Sequence, residues 1–135
     1  MKNNVFKNTI MSIIICASIL ASGSFFSVTA NAQSWYNNGK DWYSFDDNGA
    51  MEIGWYYEGA DWYYFDAEGT MVTGWYYDNT NKYYFFNQDG TMQTGWYYDG
   101  ANWYCFNEDG TMMTGQYYYN NVWYNFNKDG SMVLG

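Results

Sequence analysis

The chain has 135 residues, a quarter of them aromatic, and it contains no histidine, arginine or proline. Without histidine there is no imidazole general base, no Ser-His-Asp triad and no His-ligated metal; without arginine there is no bidentate phosphate clamp. A net charge of −9 disfavours nucleic acid and favours neutral or cationic ligands, and no metal or cofactor is expected.

Residues 1–32 differ from all that follows. Lys2 and Lys7 precede an apolar run from Ile10 to Ala21, then small residues ending in Ala30-Asn31-Ala32. That order predicts a secretory signal peptide cleaved after Ala32, leaving a two-residue segment, Gln33 and Ser34. The apolar run has 12 residues, short of the roughly 20 that span a bilayer, so no transmembrane anchor is expected after cleavage. Cys16 leaves with the leader and Cys105 remains alone, so no internal disulfide is expected. With no histidine to activate it, Cys105 reads as a small apolar residue in an aromatic strand. The mature chain carries 14 acidic residues against Lys40, Lys82 and Lys128, a net charge of −11.

From Trp35 onward the chain is five repeats, 35–54, 55–74, 75–95, 96–115 and 116–135, each of 20 residues except the third, which has 21. Short aromatic runs bounded by Gly, Asn and Asp predict strands and turns, so each unit reads as a β-hairpin plus a short connection. In the second unit, a turn centred on Gly59-Ala60 sets Tyr57 opposite Trp62 and Trp55 opposite Tyr64. Those four then share one face, and Tyr56 and Tyr63 lie on the other, with Phe65 opposite Gly54. Units one and four keep this spacing, whereas the extra residue in Asp78–Asn81 demands a longer loop or a bulge. A second turn ends at Gly49, Gly69, Gly90, Gly110 and Gly130, each expected in a left-handed conformation. The run Asp46-Asp47-Asn48-Gly49 lacks the spacing and closing Glu of an EF-hand, so it reads as a turn.

A lone hairpin is marginal in water, so five must stack and bury aromatic faces on their neighbours. Packing accounts for most Tyr and Phe. Two Trp on one hairpin face fit less well, and slots walled by indoles suit quaternary ammonium ions or sugar rings.

The string Gly54-Trp55-Tyr56-Tyr57…Trp62-Tyr63-Tyr64-Phe65…Gly69-Thr70-Met71…Thr73-Gly74-Trp75 closely resembles the choline-binding (cell-wall-binding) repeat of Gram-positive surface proteins, amidases and lysins. The resemblance covers 35–135. It implies an all-β fold, a β-solenoid of stacked hairpins, with choline caged between consecutive hairpins by two Trp of one repeat and a Tyr of the next. Carried over residue by residue, Trp35, Trp42 and Tyr64 form a complete first cage, and Trp55, Trp62 and Phe85 a second without the Tyr hydroxyl. Trp75 with Tyr83, and Trp96 with Trp103, form two more whose third walls fall on the non-aromatic Cys105 and Asn125. Met51 and Met71 read equally as extra apolar walls or as turn packing. Gln116 replaces the leading Trp of the last unit, fitting a terminal cap.

Of the 103 residues after the leader, 101 are repeat, and most acids fall at recurring turn positions, so an enzyme is not expected. The expected function is a secreted, wall-associated, non-catalytic module that binds choline of wall teichoic or lipoteichoic polymers. Related repeats in glucan-binding proteins and clostridial toxins recognise carbohydrate, so carbohydrate binding is the alternative, with a purely structural array third. Pairing with a second copy to give a homodimer through the final hairpin stays open.

Overall fold

The computed structural model describes residues 34–134, so the expected signal peptide lies outside the described residues. Ten strands form five two-stranded antiparallel sheets: β1 (Ser34–Asn37) with β2 (Trp42–Phe45), β3 (Gly54–Glu58) with β4 (Asp61–Phe65), β5 (Gly74–Tyr77) with β6 (Tyr83–Phe86), β7 (Gly95–Tyr98) with β8 (Trp103–Phe106), and β9 (Gly115–Tyr119) with β10 (Val122–Phe126). Among the described residues there is no helix.

The register follows the sequence arithmetic. Trp35 pairs with Ser44, Tyr98 with Trp103, and Trp96 with Cys105. The 21-residue repeat keeps its pairing, Trp75 with Phe85 and Tyr77 with Tyr83, and absorbs the extra residue in a longer loop between β5 and β6. The alternation of faces also holds: Tyr56 and Tyr63 are buried, while Trp55, Tyr57 and Trp62 are exposed.

Turn chemistry sets each hairpin. Asp99 Oδ1 accepts from the N–H of Ala101 and Asn102 at 2.8 and 2.7 Å, and Asp78 Oδ1 serves Thr80 and Lys82 in the same way. These acids are turn formers, as their repeated positions predicted. At Asp46 the Oδ1 accepts from Asn48 and Ala50 N–H, both at 2.8 Å, so that run is an Asx turn. The second turn ends with its glycine at positive φ, +80° at Gly110 for example, and returns the chain to one bridge, Phe106 to Met112.

The described residues fall into two compact units, the first of 34–56 and 65–71, the second of 57–64 and 72–134. In the first, Trp35 lies 6.0 Å from Tyr56 and 5.5 Å from Phe65 between ring centres. In the second, hairpin stacks on hairpin by one recurring contact. The leading Trp of a repeat sits edge-on against the inward-facing Tyr and over the Phe of the next: Trp75 on Tyr104 (5.0 Å) and Phe106 (5.8 Å), Trp96 on Tyr124 (4.8 Å) and Phe126 (5.8 Å). Phe86 and Phe106 are almost wholly buried, each paired across the strands with a glycine. Edge-to-face pairs each contribute about 0.5–1.5 kcal/mol beyond area burial, so this ladder stands in for a central core.

Backbone bonds reinforce it. Met92 N–H donates to the carbonyl of Trp62 at 2.7 Å, Met112 N–H to Tyr83 at 2.8 Å, and Met132 N–H to Trp103 at 2.8 Å. Each of these methionines therefore ties to the start of the preceding repeat's second strand.

Candidate aromatic binding site

Strands β7 and β8 place Trp96 and Trp103 diagonally on one face, and their rings meet 6.3 Å apart at 80°. The two indoles form a corner of nearly perpendicular π surfaces. Trp103 is 42 % exposed, and Tyr98 lies directly across the strand pair, 5.1 Å from it. Trp96 is half-buried because its other side is spent on Tyr124 and Phe126. One wall of the corner is thus anchored in the fold and the other presented to solvent.

The other repeats divide the two roles less sharply. Trp75 packs on Tyr104 and Phe106 yet is as exposed as Tyr83, which pairs with Tyr77 at 4.5 Å. Trp35 is packed within the first unit, where Trp42 is half-buried. Trp62 is 42 % exposed and stacked with Tyr57 at 5.0 Å; Trp55 is exposed.

The expected third walls are held by the repeat that follows them. Tyr64 lies 4.3 Å from Tyr76, and Phe85 lies 4.3 Å from Tyr97 and 5.3 Å from Trp75. Cys105 occupies the equivalent place in the fourth repeat and is buried, 3 % exposed. Burial raises its thiol pKa, which suits an inert small apolar residue and not a nucleophile. Asn125 is exposed and pairs with Gln116.

Sequence reasoning missed two things. Tyr98 and Tyr57 stack on the exposed Trp of their own hairpins, a role the cross-strand arithmetic implied but did not assign. The leading Trp proved to be as much an inter-repeat packing residue as a candidate wall. Only its recurrence at the head of the first four units signalled that. Three methionines lie against glycines of the following repeat: Met51 against Gly69, Met92 against Gly110 and Met112 against Gly130. Met71 is buried.

Tandem antiparallel hairpins that bury Tyr and Phe on one face and present Trp and Tyr on the other define a class of aromatic repeat modules. Within that class, the chain belongs to the choline-binding repeat family: the profile described as Choline-binding repeat matches residues 54–93, and that described as Putative cell wall binding repeat matches 94–112. The fold is similar to that of choline binding protein F from Streptococcus pneumoniae, with 39 % identity and a TM-score of 0.70 over 76 % of this chain and 35 % of that one. It is similar to the multimodular pneumococcal cell wall endolysin from phage Cp-1, solved with choline, at 35 % identity and TM-score 0.63 over 85 % and 34 % of the two chains. A choline binding domain from Streptococcus pneumoniae is 30 % identical with a TM-score of 0.54, over 62 % of this chain and 96 % of that domain. The chain thus spans about a third of the length of the first two. No curated protein matches.

Proposed function

We propose that the chain is a secreted, non-catalytic cell-wall-binding module, a β-solenoid that holds choline groups of wall teichoic or lipoteichoic polymers against its aromatic corners. The observation that carries this reading is the Trp96–Trp103 pair, two perpendicular indoles with one ring open to solvent. A trimethylammonium group set into such a corner faces the negative face of one ring directly and lies beside the second. Each well-placed ring contributes roughly 0.5–2 kcal/mol, which puts a single site at a Kd on the order of 1 mM. Several linked sites meeting a polymer with repeated headgroups raise apparent affinity by roughly 10²–10⁴. The acidic surface adds a weak attraction for cations. Membership of the choline-binding repeat family, and a relative solved with choline, support the ligand class.

Carbohydrate binding has one observation of its own. A half-open cleft of about 470 Å³ is lined by Phe85 and Tyr97 together with Thr73, Asn87 and Gln88, a mixture of aromatic and amide groups that suits a sugar ring. Tryptophan fluorescence titrated with choline and, separately, with glucan oligosaccharides decides between them. The proposal expects a saturable response to choline in the millimolar range and none to glucan. The reverse result would transfer the function to the cleft.

A further inference from the structure

The five bridged methionines sit at the joints of the array, and three of them share one unusual placement. The side chains of Met51, Met92 and Met112 lie over Gly69, Gly110 and Gly130 of the following repeat. At each, the atom nearest to where the glycine's β-carbon would stand is the methionine Sδ, and that carbon would overlap Sδ, Cγ and Cε. Sulfur therefore occupies the volume that glycine leaves vacant. Backbone bonds extend the tie: Met92 N–H reaches Trp62 of the second repeat while its sulfur seats on Gly110 of the fourth, and Met112 N–H reaches Tyr83 of the third while its sulfur seats on Gly130 of the fifth. One residue thus clasps three consecutive repeats. Met51 is 42 % exposed and Met92 and Met112 are half-buried, whereas Met71 is 7 % exposed.

We infer that Met51, Met92 and Met112 are modification sites for two-electron oxidants of the peroxide class, and that their sulfoxides unlock the joints between repeats. A sulfur lone pair attacks the distal oxygen of hydrogen peroxide. The O–O bond breaks as the S–O bond forms, sulfur is oxidised by two electrons, and the departing hydroxide takes up the transferred proton as water. The product is polar and pyramidal where the thioether was apolar and bent. Its oxygen has no room on the glycine side, so the sulfur must withdraw and the seat opens. Because the clasping N–H groups hold Trp62 and Tyr83, opening also disturbs residues assigned above to the aromatic corners. That last consequence rests on the proposed function.

The test uses the full mature chain, treated in the folded state with graded hydrogen peroxide and read by peptide mass mapping, thermal unfolding and choline titration. The expected result is addition of about 16 Da at Met51, Met92 and Met112 before Met71, with melting lowered by about 5 °C or more and choline binding weakened several-fold. Methionine sulfoxide reductases should restore both. Chain produced with norleucine, which keeps the methionine shape without sulfur, should not shift its melting on treatment. Oxidation at the three sites with unchanged melting would overturn the inference, as would Met71 reacting first or an equal melting loss in the norleucine chain. If untreated protein fails to bind choline, the wall-binding proposal falls, while mass mapping and melting still judge the joints.

Discussion

Exchanging glycine for alanine at two positions of like backbone separates the methionine seat from turn geometry. Gly110 and Gly115 have φ of +80° and +78°, so an alanine at either bears a left-handed cost of about 1–2 kcal/mol. Around Gly115 an added β-carbon meets nothing within 4 Å, whereas at Gly110 it overlaps Met92. Met92 has three rotatable side-chain bonds and escapes by swinging outward, so the added loss is its packing in the seat. For a half-buried methionine that is about 1–2 kcal/mol. Gly110→Ala should therefore cost about 2–4 kcal/mol and Gly115→Ala about 1–2 kcal/mol, a melting difference of about 5–10 °C. Thermal and urea unfolding followed by tryptophan fluorescence and circular dichroism would measure both. Combining Gly110→Ala with Met92→Ala should cost less than the sum of the single changes, because the two share one seat. Equal losses at Gly110 and Gly115, with additive double-variant behaviour, would refute the idea that methionine sulfur sets the joint.

Three other outcomes follow from the geometry. Trp103→Ala should fold with nearly unchanged melting and lose choline at its corner, whereas Trp96→Ala should also lose stability, about 3–5 kcal/mol, because it packs on Tyr124 and Phe126; melting and choline titration of each variant check this. Cys105 should resist thiol reagents in the folded chain and react on unfolding, since it is buried and its pKa is raised; rapid labelling of native protein would contradict its placement. Hydrogen bonds from backbone N–H, at Ala50 and Asn102 foremost, lower the Asp46 and Asp99 pKa values, and those from the Thr111 and Ser131 side chains foremost lower Asp109 and Asp129. Folded values below unfolded ones give stability that is present above the ordinary carboxylate pKa of about 3.9 and lost as pH falls through the lower folded values. Melting should be level from about pH 5 to 7 and decline below about pH 4; a rise on acidification would show that relief of the net negative charge outweighs the turns.

Much of this architecture was legible because the repeat fixes its own register. Once Gly59-Ala60 is taken as a turn, counting alone pairs Tyr57 with Trp62, and the rings are found 5.0 Å apart. Burial of Tyr56 and Tyr63 follows from period-two alternation. The contacts between hairpins were less legible, because stacking depends on pitch, which no local pattern encodes. Trp75 reaching past its own hairpin to Tyr104, 29 positions along the chain, is one such contact. The seat of Met92 on Gly110 is another: glycine there was read for its backbone conformation alone, and its second task, leaving room for a sulfur, needed coordinates. The acids were read correctly as turn formers because Asx turns are local.

The claim that aromatic corners hold a quaternary cation is tested most directly by elution from a choline-decorated resin or wall. Short-range attraction between ring and cation is weakly screened, unlike ion exchange on an acidic surface. The protein should stay bound in NaCl at an ionic strength matching the eluent and leave in choline well above 1 mM, the order of magnitude set for one site. Release by NaCl as complete as release by choline would contradict the caged-cation account and leave surface charge as the whole cause of retention.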